Sequence, residues 1–355
     1  MDTLSTILMA VGVIALPVAI IMLIISLIKK KSKKTSLIVF AVGIVMFILG
    51  GVLTPSEPVA KEEPQVTQNS VVQAIEKGVL QYPTSNENFK YNVYDTYVEI
   101  TEYIGNANAS KINVPAKLEN LPVYVVDSYV FDECKVQTIV FEEGIYDIKS
   151  GFSSSLKSVT LPSTLKWIGS SQFKNCYALE KVVIPEGIKS IMFSAFESCS
   201  SLKEITIPST VTSLSTGLFA YCTKLETVNL SNGLTSIGEK AFVQCKSLKT
   251  IKIPDTVTEL GFNAFQGSGL VSVEIPASVI TIGANAFLAC ESLKEVKFHN
   301  SAVTIKPYTY YEQGVAMATA TALFGQCNKD LVVYGKPASE IAKACAKDNV
   351  YFKAF

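Results

Sequence analysis

The apolar residues of this 355-residue chain follow two different patterns. Near the N-terminus they form two long uncharged stretches, Leu4–Ile28 and Thr35–Leu53, whereas later they recur as short pairs with a period of about 23 residues. At a rise of about 1.5 Å per residue, each uncharged stretch is long enough for a helix that crosses a hydrocarbon layer of about 30 Å. The pattern therefore predicts a two-helix transmembrane hairpin over residues 1–53, followed by a repetitive domain.

The lysines between the two predicted spans set their orientation. Five lysines lie between residues 29 and 34, and a lysine cluster beside a transmembrane helix stays in the cytoplasm. We therefore expect a two-pass protein of the cell membrane, with both termini extracytoplasmic and with membrane lipid around the hairpin. A cleaved signal peptide is the alternative, but residues 1–3 contain no basic side chain and the first stretch is longer than a signal-peptide core.

Residues 54–85 are predicted to be an extracytoplasmic linker. Their first part combines prolines with acidic residues, among them Pro55, Pro58 and Glu62. A segment of this composition buries too little apolar surface to fold alone. Within the linker, Ser70 is expected to cap a short helix.

The repeat unit begins with a leucine whose spacing is almost constant. The intervals between these leucines are 22 or 23 residues: Leu156, Leu179, Leu202, Leu225, Leu248, Leu270 and Leu293. Each leucine is followed by a V-x-I pair, often with proline directly after it, and then by an L-x-x-I pair. A phenylalanine, usually with a cysteine three residues later, completes the unit, as in Phe196 and Cys199.

The V-x-I pair has the period of a short strand with both apolar side chains on one face. Proline has no N–H group for a ladder and ends the strand. The L-x-x-I pair is expected to turn the chain back, and the phenylalanine and cysteine to pack under the outer arc. Because no unit buries these residues alone, the units must stack at about 4.8 Å. The fold class predicted after the hairpin is a β-rich solenoid of about nine 23-residue repeats with end caps.

Both ends of the solenoid, residues 86–330, are expected to be closed, because an open last turn exposes strand edges and core. At the start, Phe89–Ile104 alternates like a hairpin and is interpreted as an N-terminal cap. At the end, residues 331–355 are predicted to form a strand, a helix that begins near Ser339, and a second strand.

The consensus of the units is L-x-x-V-x-I-P-x-x-V-x-x-I-G-x-x-A-F-x-x-C. Residues 248–267 follow it closely, with Ser268 at the position of the cysteine. This unit resembles the BspA-type bacterial leucine-rich repeat, and the resemblance covers about residues 86–355. It implies a curved solenoid on a bacterial or protist cell surface, in a family whose members act as adhesins or antigens that bind host or matrix proteins. No catalytic residues come with the resemblance.

Composition excludes several other classes of protein. The chain has no arginine, and the five lysines and one acidic residue before residue 54 leave 26 lysines and 30 acidic residues after it. This balance lacks the basic surface that nucleic acid requires. The only histidine, His299, lies at no triad-like spacing from a nucleophile or a carboxylate. The chain also contains no C-x-x-C pair, the spacing that would indicate a zinc site. We therefore predict neither an enzyme nor a protein with a metal or small-molecule cofactor.

Seven of the eight cysteines share one position of the repeat: Cys134, Cys176, Cys199, Cys222, Cys245, Cys290 and Cys327. Turns in register place neighbouring Cβ atoms about 4.8 Å apart, further than the roughly 3.5 to 4.5 Å that disulfides favour. These cysteines are therefore predicted to be buried free thiols.

The outward positions of the strands form the first candidate binding surface. Stacked turns align them into a concave ribbon of hydroxyl groups and mixed charges, which suits an extracellular protein or glycan as partner. The residues selected are Thr160, Lys181, Glu204, Thr206, Asn229, Lys252, Glu274 and Lys297. The alternative is a solvated sheet face that binds nothing in particular.

One interruption of the repeat forms the second candidate. The segment from Ile305 to Phe324 contains 14 more residues than the segment from Ile282 to Phe287 of the preceding unit. Insertions in solenoids form loops that often bind partners, and tyrosine is a typical interface residue. The candidate residues of this loop are Tyr308, Tyr310 and Tyr311. The alternative is a tolerated surface loop.

These features predict a membrane-anchored, outward-facing leucine-rich repeat protein that works as a protein- or glycan-binding or adhesion module. The alternative function is an accessory scaffold or sensor subunit, in which the hairpin docks to other proteins of a membrane complex.

Overall fold

A computed structural model describes the chain over residues 78–131, 134–149, 151–312, 315–320 and 322–354. Of residues 308–320 it describes the backbone alone. The two predicted transmembrane spans and the helix predicted after Ser70 lie outside the described residues. Within the part of the chain that the structure describes, no helix is long and apolar enough to cross a membrane.

The described residues form short strands and one helix. In chain order, the first half of the elements is β1 (Leu80–Ser85), β2 (Phe89–Tyr94), β3 (Val98–Tyr103), β4 (Lys111–Val114), β5 (Lys117–Leu118), β6 (Leu121–Val126), β7 (Thr138–Phe141), β8 (Asp147–Ile148), β9 (Ser158–Thr160), β10 (Trp167–Ile168), β11 (Lys181–Val183), β12 (Ser190–Ile191) and β13 (Glu204–Thr206). The second half is β14 (Ser213–Leu214), β15 (Thr227–Asn229), β16 (Ser236–Ile237), β17 (Glu259–Leu260), β18 (Ser272–Ile275), β19 (Thr281–Gly283), β20 (Glu295–Phe298), β21 (Thr304–Lys306), β22 (Tyr308–Glu312), β23 (Val315–Ala320), β24 (Val332–Gly335), α1 (Glu340–Lys347) and β25 (Tyr351–Ala354).

The V-x-I pairs form parallel strands, as predicted, and together these strands make the front ladder. Its strands lie in three sheets: β4, β7, β9 and β11, then β13 and β15, then β18, β20, β24 and β25. Lys181 pairs with Ser158, so equivalent residues of successive turns lie side by side. The prediction of a strand at Thr250–Ile253 is wrong, because these residues form no regular strand. Ile251 and Ile253 are nevertheless buried, since alternate burial requires only an extended chain.

The L-x-x-I pairs form a second set of parallel strands, the back ladder. It contains β3, β6 and β8, then β10 and β12, then β14, β16, β17, β19 and β21. The sequence predicts that these pairs turn the chain back, and it does not predict that they form strands of their own. In each pair the two apolar ends are buried, as Leu234 and Ile237 are. The residues between them are extended enough to hydrogen-bond to the next turn, where Ser236 pairs with Glu259.

The phenylalanines of successive turns form one continuous stack inside the solenoid. The rings of Phe173 and Phe196 lie 5.1 Å apart between centroids and are almost parallel, at 2°. The stack runs through Phe131, Phe152, Phe173, Phe196, Phe219, Phe242, Phe265, Phe287 and Phe324. The solenoid has about ten turns rather than the nine predicted, because β24 adds a strand to the front ladder beyond the last of these rings.

The N-terminal end is closed by an antiparallel sheet. The predicted hairpin is present as β2 and β3, and β3 then pairs in parallel with β6. Strand β1, which pairs with β2, was not predicted. Its residues are almost all exposed and include Pro83, so it has no apolar alternation to reveal it, and proline is tolerated on an edge strand.

The C-terminal end is closed as predicted, by a strand, a helix and a second strand. Ser339 caps α1 by accepting a hydrogen bond from the backbone N of Ala342 at 3.2 Å. Ile341 and Cys345 are buried against the last turns, and β25 extends the front ladder beside β24.

Candidate binding surface

The eight ribbon residues lie on the front side of the solenoid and point away from its core. Seven of them are exposed, and Lys297 is half-buried, whereas the inward neighbours Val182, Ile205 and Val296 are buried. The outward position predicted for these residues is therefore confirmed. Only Lys252 lies outside a regular strand.

Polar contacts connect ribbon residues of adjacent turns. The Asn229 side chain donates hydrogen bonds from Nδ2 to Glu204 Oε1 at 3.2 Å and to Thr206 Oγ1 at 3.1 Å. Strands β13 and β15, which carry these residues, pair in register, so Thr206 lies opposite Asn229. These contacts hold the amide and the carboxylate in a defined arrangement on an otherwise exposed surface.

A second group of charges lies further along the ribbon. Lys297 Nζ is 2.9 Å from Glu295 Oε1 and 3.5 Å from Glu274 Oε1. The hydrogen bond with Glu295, together with the charge of Glu274, raises the pKa of the Lys297 amine. His299 Nε2 lies 3.6 Å from Glu274 Oε2, so this part of the surface combines two carboxylates, an ammonium group and an imidazole.

Two open grooves follow the ribbon. One, of about 680 Å³, is lined by Lys181, Glu204 and Thr206 together with the exposed Val183. The other, of about 810 Å³, is lined by residues of two turns and the segment that follows them: Thr250, Lys252, Asp255, Ser272, Glu274 and His299. Each groove therefore offers hydrogen-bond donors, acceptors and charges of both signs.

Asp255 and His299 were not predicted as site residues, whereas Val183 is one of the outward strand positions that form the predicted ribbon. Val183 occupies an outward strand position, and Asp255 follows the proline that ends its V-x-I pair. These positions were visible in the repeat. Their place in a groove depends on the adjacent turns, which the sequence pattern of one unit does not contain.

The insertion after β21 is a hairpin rather than the predicted loop. Strands β22 and β23 pair with each other in antiparallel orientation, so that Tyr308 lies opposite Ala320 and Tyr310 opposite Ala318. Tyrosine, threonine and valine favour extended backbone, which explains why the insertion adopts strands. Tyr311 lies on the same strand, opposite Ala316.

The cysteines of the chain are free thiols, as predicted. Burial raises the pKa of the Cys176 thiol to about 12. A buried thiol with a raised pKa is a poor nucleophile and a poor metal ligand. Cys176 therefore belongs to the core of the solenoid.

A family of known proteins matches the repeats described above. The model of the BspA type leucine rich repeat region matches residues 124–232 and 212–327, with six copies, and these ranges together span more than half of the chain. The chain belongs to the BspA-type leucine-rich repeat family. Proteins of this family are generally non-enzymatic binding modules, and leucine-rich repeat proteins typically bind proteins or glycans.

Solved structures of leucine-rich repeat proteins resemble this BspA-type chain. A leucine-rich repeat protein from Bacteroides ovatus is 25% identical, with a TM-score of 0.53, over 71% of this chain and 71% of that chain. A leucine rich cell surface protein from Faecalibacterium prausnitzii is 22% identical, with a TM-score of 0.49, over 77% of this chain and 95% of that chain. No curated protein matches the chain. The Bacteroides ovatus structure supports the solenoid fold.

Proposed function

We propose that this BspA-type repeat protein is a membrane-anchored, outward-facing module that binds or adheres to an extracellular protein or glycan through its front ladder. Residues 1–53 anchor it as a two-pass hairpin in lipid, with both termini outside the cell. The two uncharged stretches and the five lysines between them support this part of the proposal.

The exposed polar surface of the front ladder is the observation that carries the binding role. Its two grooves combine hydroxyl, ammonium, imidazole and carboxylate groups within a few turns. A partner that carries both donors and acceptors, such as a polar protein surface or a glycan, is complementary to this mixture. The hairpin of β22 and β23, with its three tyrosines, is a second point of contact in this proposal.

A binding screen with the full chain in a neutral detergent tests the proposal. Once a ligand is found among extracellular proteins and glycans, a variant with four alanine substitutions in the grooves should bind it at least about tenfold more weakly. The substituted residues are Lys181, Glu204, Lys252 and Glu274. A control variant replaces the same numbers of positive and negative charges at exposed positions elsewhere: Lys224, Lys246, Glu291 and Asp330. Equal losses in both variants would contradict a role for the front ladder.

Three further measurements test the outward orientation, the alternative function and the contact at the hairpin. Protease added to intact cells should digest the repeat domain, and protection of that domain would refute the outward orientation. Co-purification with an integral membrane complex that survives the four substitutions, without any external ligand, would favour the accessory subunit instead. Unchanged ligand binding after deletion of residues 306–319 would exclude the hairpin as a contact.

A further inference from the structure

A second surface lies on the back ladder, where the solenoid begins. In the middle turns, the two residues between the apolar ends of the L-x-x-I pair are never aromatic, and in one turn they are Thr235 and Ser236. In the first turns the corresponding residues include Tyr124, Tyr146 and Trp167, the only tryptophan of the chain. Because the later turns form the same ladder without aromatic residues, the repeat itself does not require them here.

The tyrosines of this region form a continuous row of rings. Tyr94 and Tyr97 are stacked, with centroids 4.4 Å apart and planes at 6°, and Tyr97 continues the row to Tyr124 at 5.8 Å. Tyr146 meets Tyr124 edge to face, at 4.9 Å and 88°. Tyr97 is buried, whereas the other three are half-buried, so part of each of those rings reaches the solvent.

Carboxylates accompany the row of rings. Glu99 accepts a hydrogen bond from the Tyr94 hydroxyl at 3.1 Å, and its other oxygen lies 3.5 Å from Lys149 Nζ. Burial raises the pKa of Asp147, and the nearby charges of Asp127 and Glu99 raise it further. The charge of Lys149 and a hydrogen bond with Trp167 lower this pKa, but the net shift is upward. The carboxylates of Glu99, Asp127 and Asp147 therefore influence one another, and Lys149 is the cation that contacts Glu99, so negative charge predominates among these four groups.

We propose that this surface binds an arginine side chain of a partner protein. The surface, here named the tyrosine–carboxylate patch, consists of Tyr94, Glu99, Tyr124, Tyr146, Asp147 and Trp167. A guanidinium group is planar, stacks on aromatic rings and donates hydrogen bonds to carboxylates from a fixed fork. A metal ion is a poorer fit, because the described residues contain no group of histidine, cysteine and acidic side chains that could hold one.

The composition of the chain restricts the identity of the partner. The chain contains no arginine, so a second copy of it cannot supply the guanidinium group, and the partner is a different protein. Lys149 shows that a cation is accommodated beside Glu99. The same lysine competes with an incoming arginine for that carboxylate.

The single tryptophan provides a local signal for the test. An oligo-arginine peptide is titrated into the full chain in a neutral detergent, and the emission of Trp167 is followed. The emission should change in a saturable way, and an oligo-lysine peptide, which has no planar group to stack, should bind more weakly. The double variant Glu99→Gln, Asp147→Asn should bind oligo-arginine at least about tenfold more weakly. The matched control Glu226→Gln, Glu291→Gln removes the same charge from exposed positions and should bind as the wild type does.

The variant Lys149→Met distinguishes a binding surface from a merely structural cluster. It removes the competing ammonium group and should tighten the binding of oligo-arginine by about threefold or more, whereas a structural role predicts no gain. This variant keeps the proposal testable even where the double variant fails to fold. An unchanged Trp167 emission, or equal weakening in the double variant and its control, would overturn the proposal. So would a response to neutral oligosaccharides in place of oligo-arginine, which would identify a glycan site.

Discussion

The Cys245 thiol donates a hydrogen bond from Sγ to the backbone carbonyl oxygen of Phe219, one turn earlier, at 3.1 Å. The same contact recurs in other turns: Cys176 to Phe152, Cys199 to Phe173, Cys222 to Phe196, Cys290 to Phe265 and Cys327 to Phe287. Each thiol therefore links its turn to the preceding one and provides a partner for a buried carbonyl group, which is costly to leave unpaired.

Thiol chemistry should follow this arrangement. Because burial raises the pKa of Cys245 well above its ordinary value, we expect alkylation by iodoacetamide at neutral pH to be slow until the chain unfolds. Cys327 should react first among the repeat thiols, because its side chain is partly exposed whereas those of the other repeat cysteines are buried. Peptide mass spectrometry of native and unfolded samples measures this order. Uniform labelling of the native protein would contradict it.

The phenylalanine stack should dominate the stability of the middle turns. Phe219 lies 5.7 Å from Phe196 and 5.6 Å from Phe242, so Phe219→Ala leaves a cavity between two rings. We expect the free energy of unfolding to fall by about 3–5 kcal/mol, as measured by chemical denaturation. Phe193→Ala is the control, because Phe193 is 58% exposed, and its effect should stay within about 0.5 kcal/mol. Similar losses in the two variants would argue against the stack.

Asp348 should hold the C-terminal cap to the last turn. Its Oδ2 atom accepts hydrogen bonds from the backbone N atoms of Leu323, at 2.7 Å, and Phe324, at 2.8 Å. Asp348→Ala leaves both amides without this acceptor and should lower the free energy of unfolding by about 1–3 kcal/mol. Asp348→Asn keeps an acceptor oxygen and should recover part of the loss. The exposed Asp330 supplies the control, and a thermal melt of Asp330→Ala should match the wild type.

Asp147 should make stability decrease as the pH rises above about 4. Burial raises its pKa, so the folded state holds the proton more tightly than the unfolded state does, and ionisation disfavours folding. Asp147→Asn removes this ionisation. The variant should therefore be more stable than the wild type at neutral pH, and the difference should disappear below about pH 4, where both states are protonated. Denaturation at several pH values measures the difference, and a pH-independent gap would refute this explanation.

Much of the fold could be predicted from one period in the sequence. The V-x-I pair places two apolar side chains on one face, and the almost constant spacing requires parallel turns in register. The buried phenylalanines and thiols, the outward direction of residues such as Lys181, and the strand-helix-strand tail all follow from this pattern. The membrane hairpin remains a prediction, because its residues lie outside the described part of the chain.

The amino-acid sequence by itself determined the repeat, its core and the residues that face outward, because these depend on side-chain alternation within one unit. The tertiary structure alone decided the contacts between turns. Strand β1 has no buried face to predict it, and the L-x-x-I pairs become strands only by hydrogen bonding to the next turn. The grooves at Lys181 and Lys252, and the contact of Glu99 with Lys149, likewise bring together residues from separate turns. Such contacts arise only when the units stack, so no pattern inside a single unit contains them.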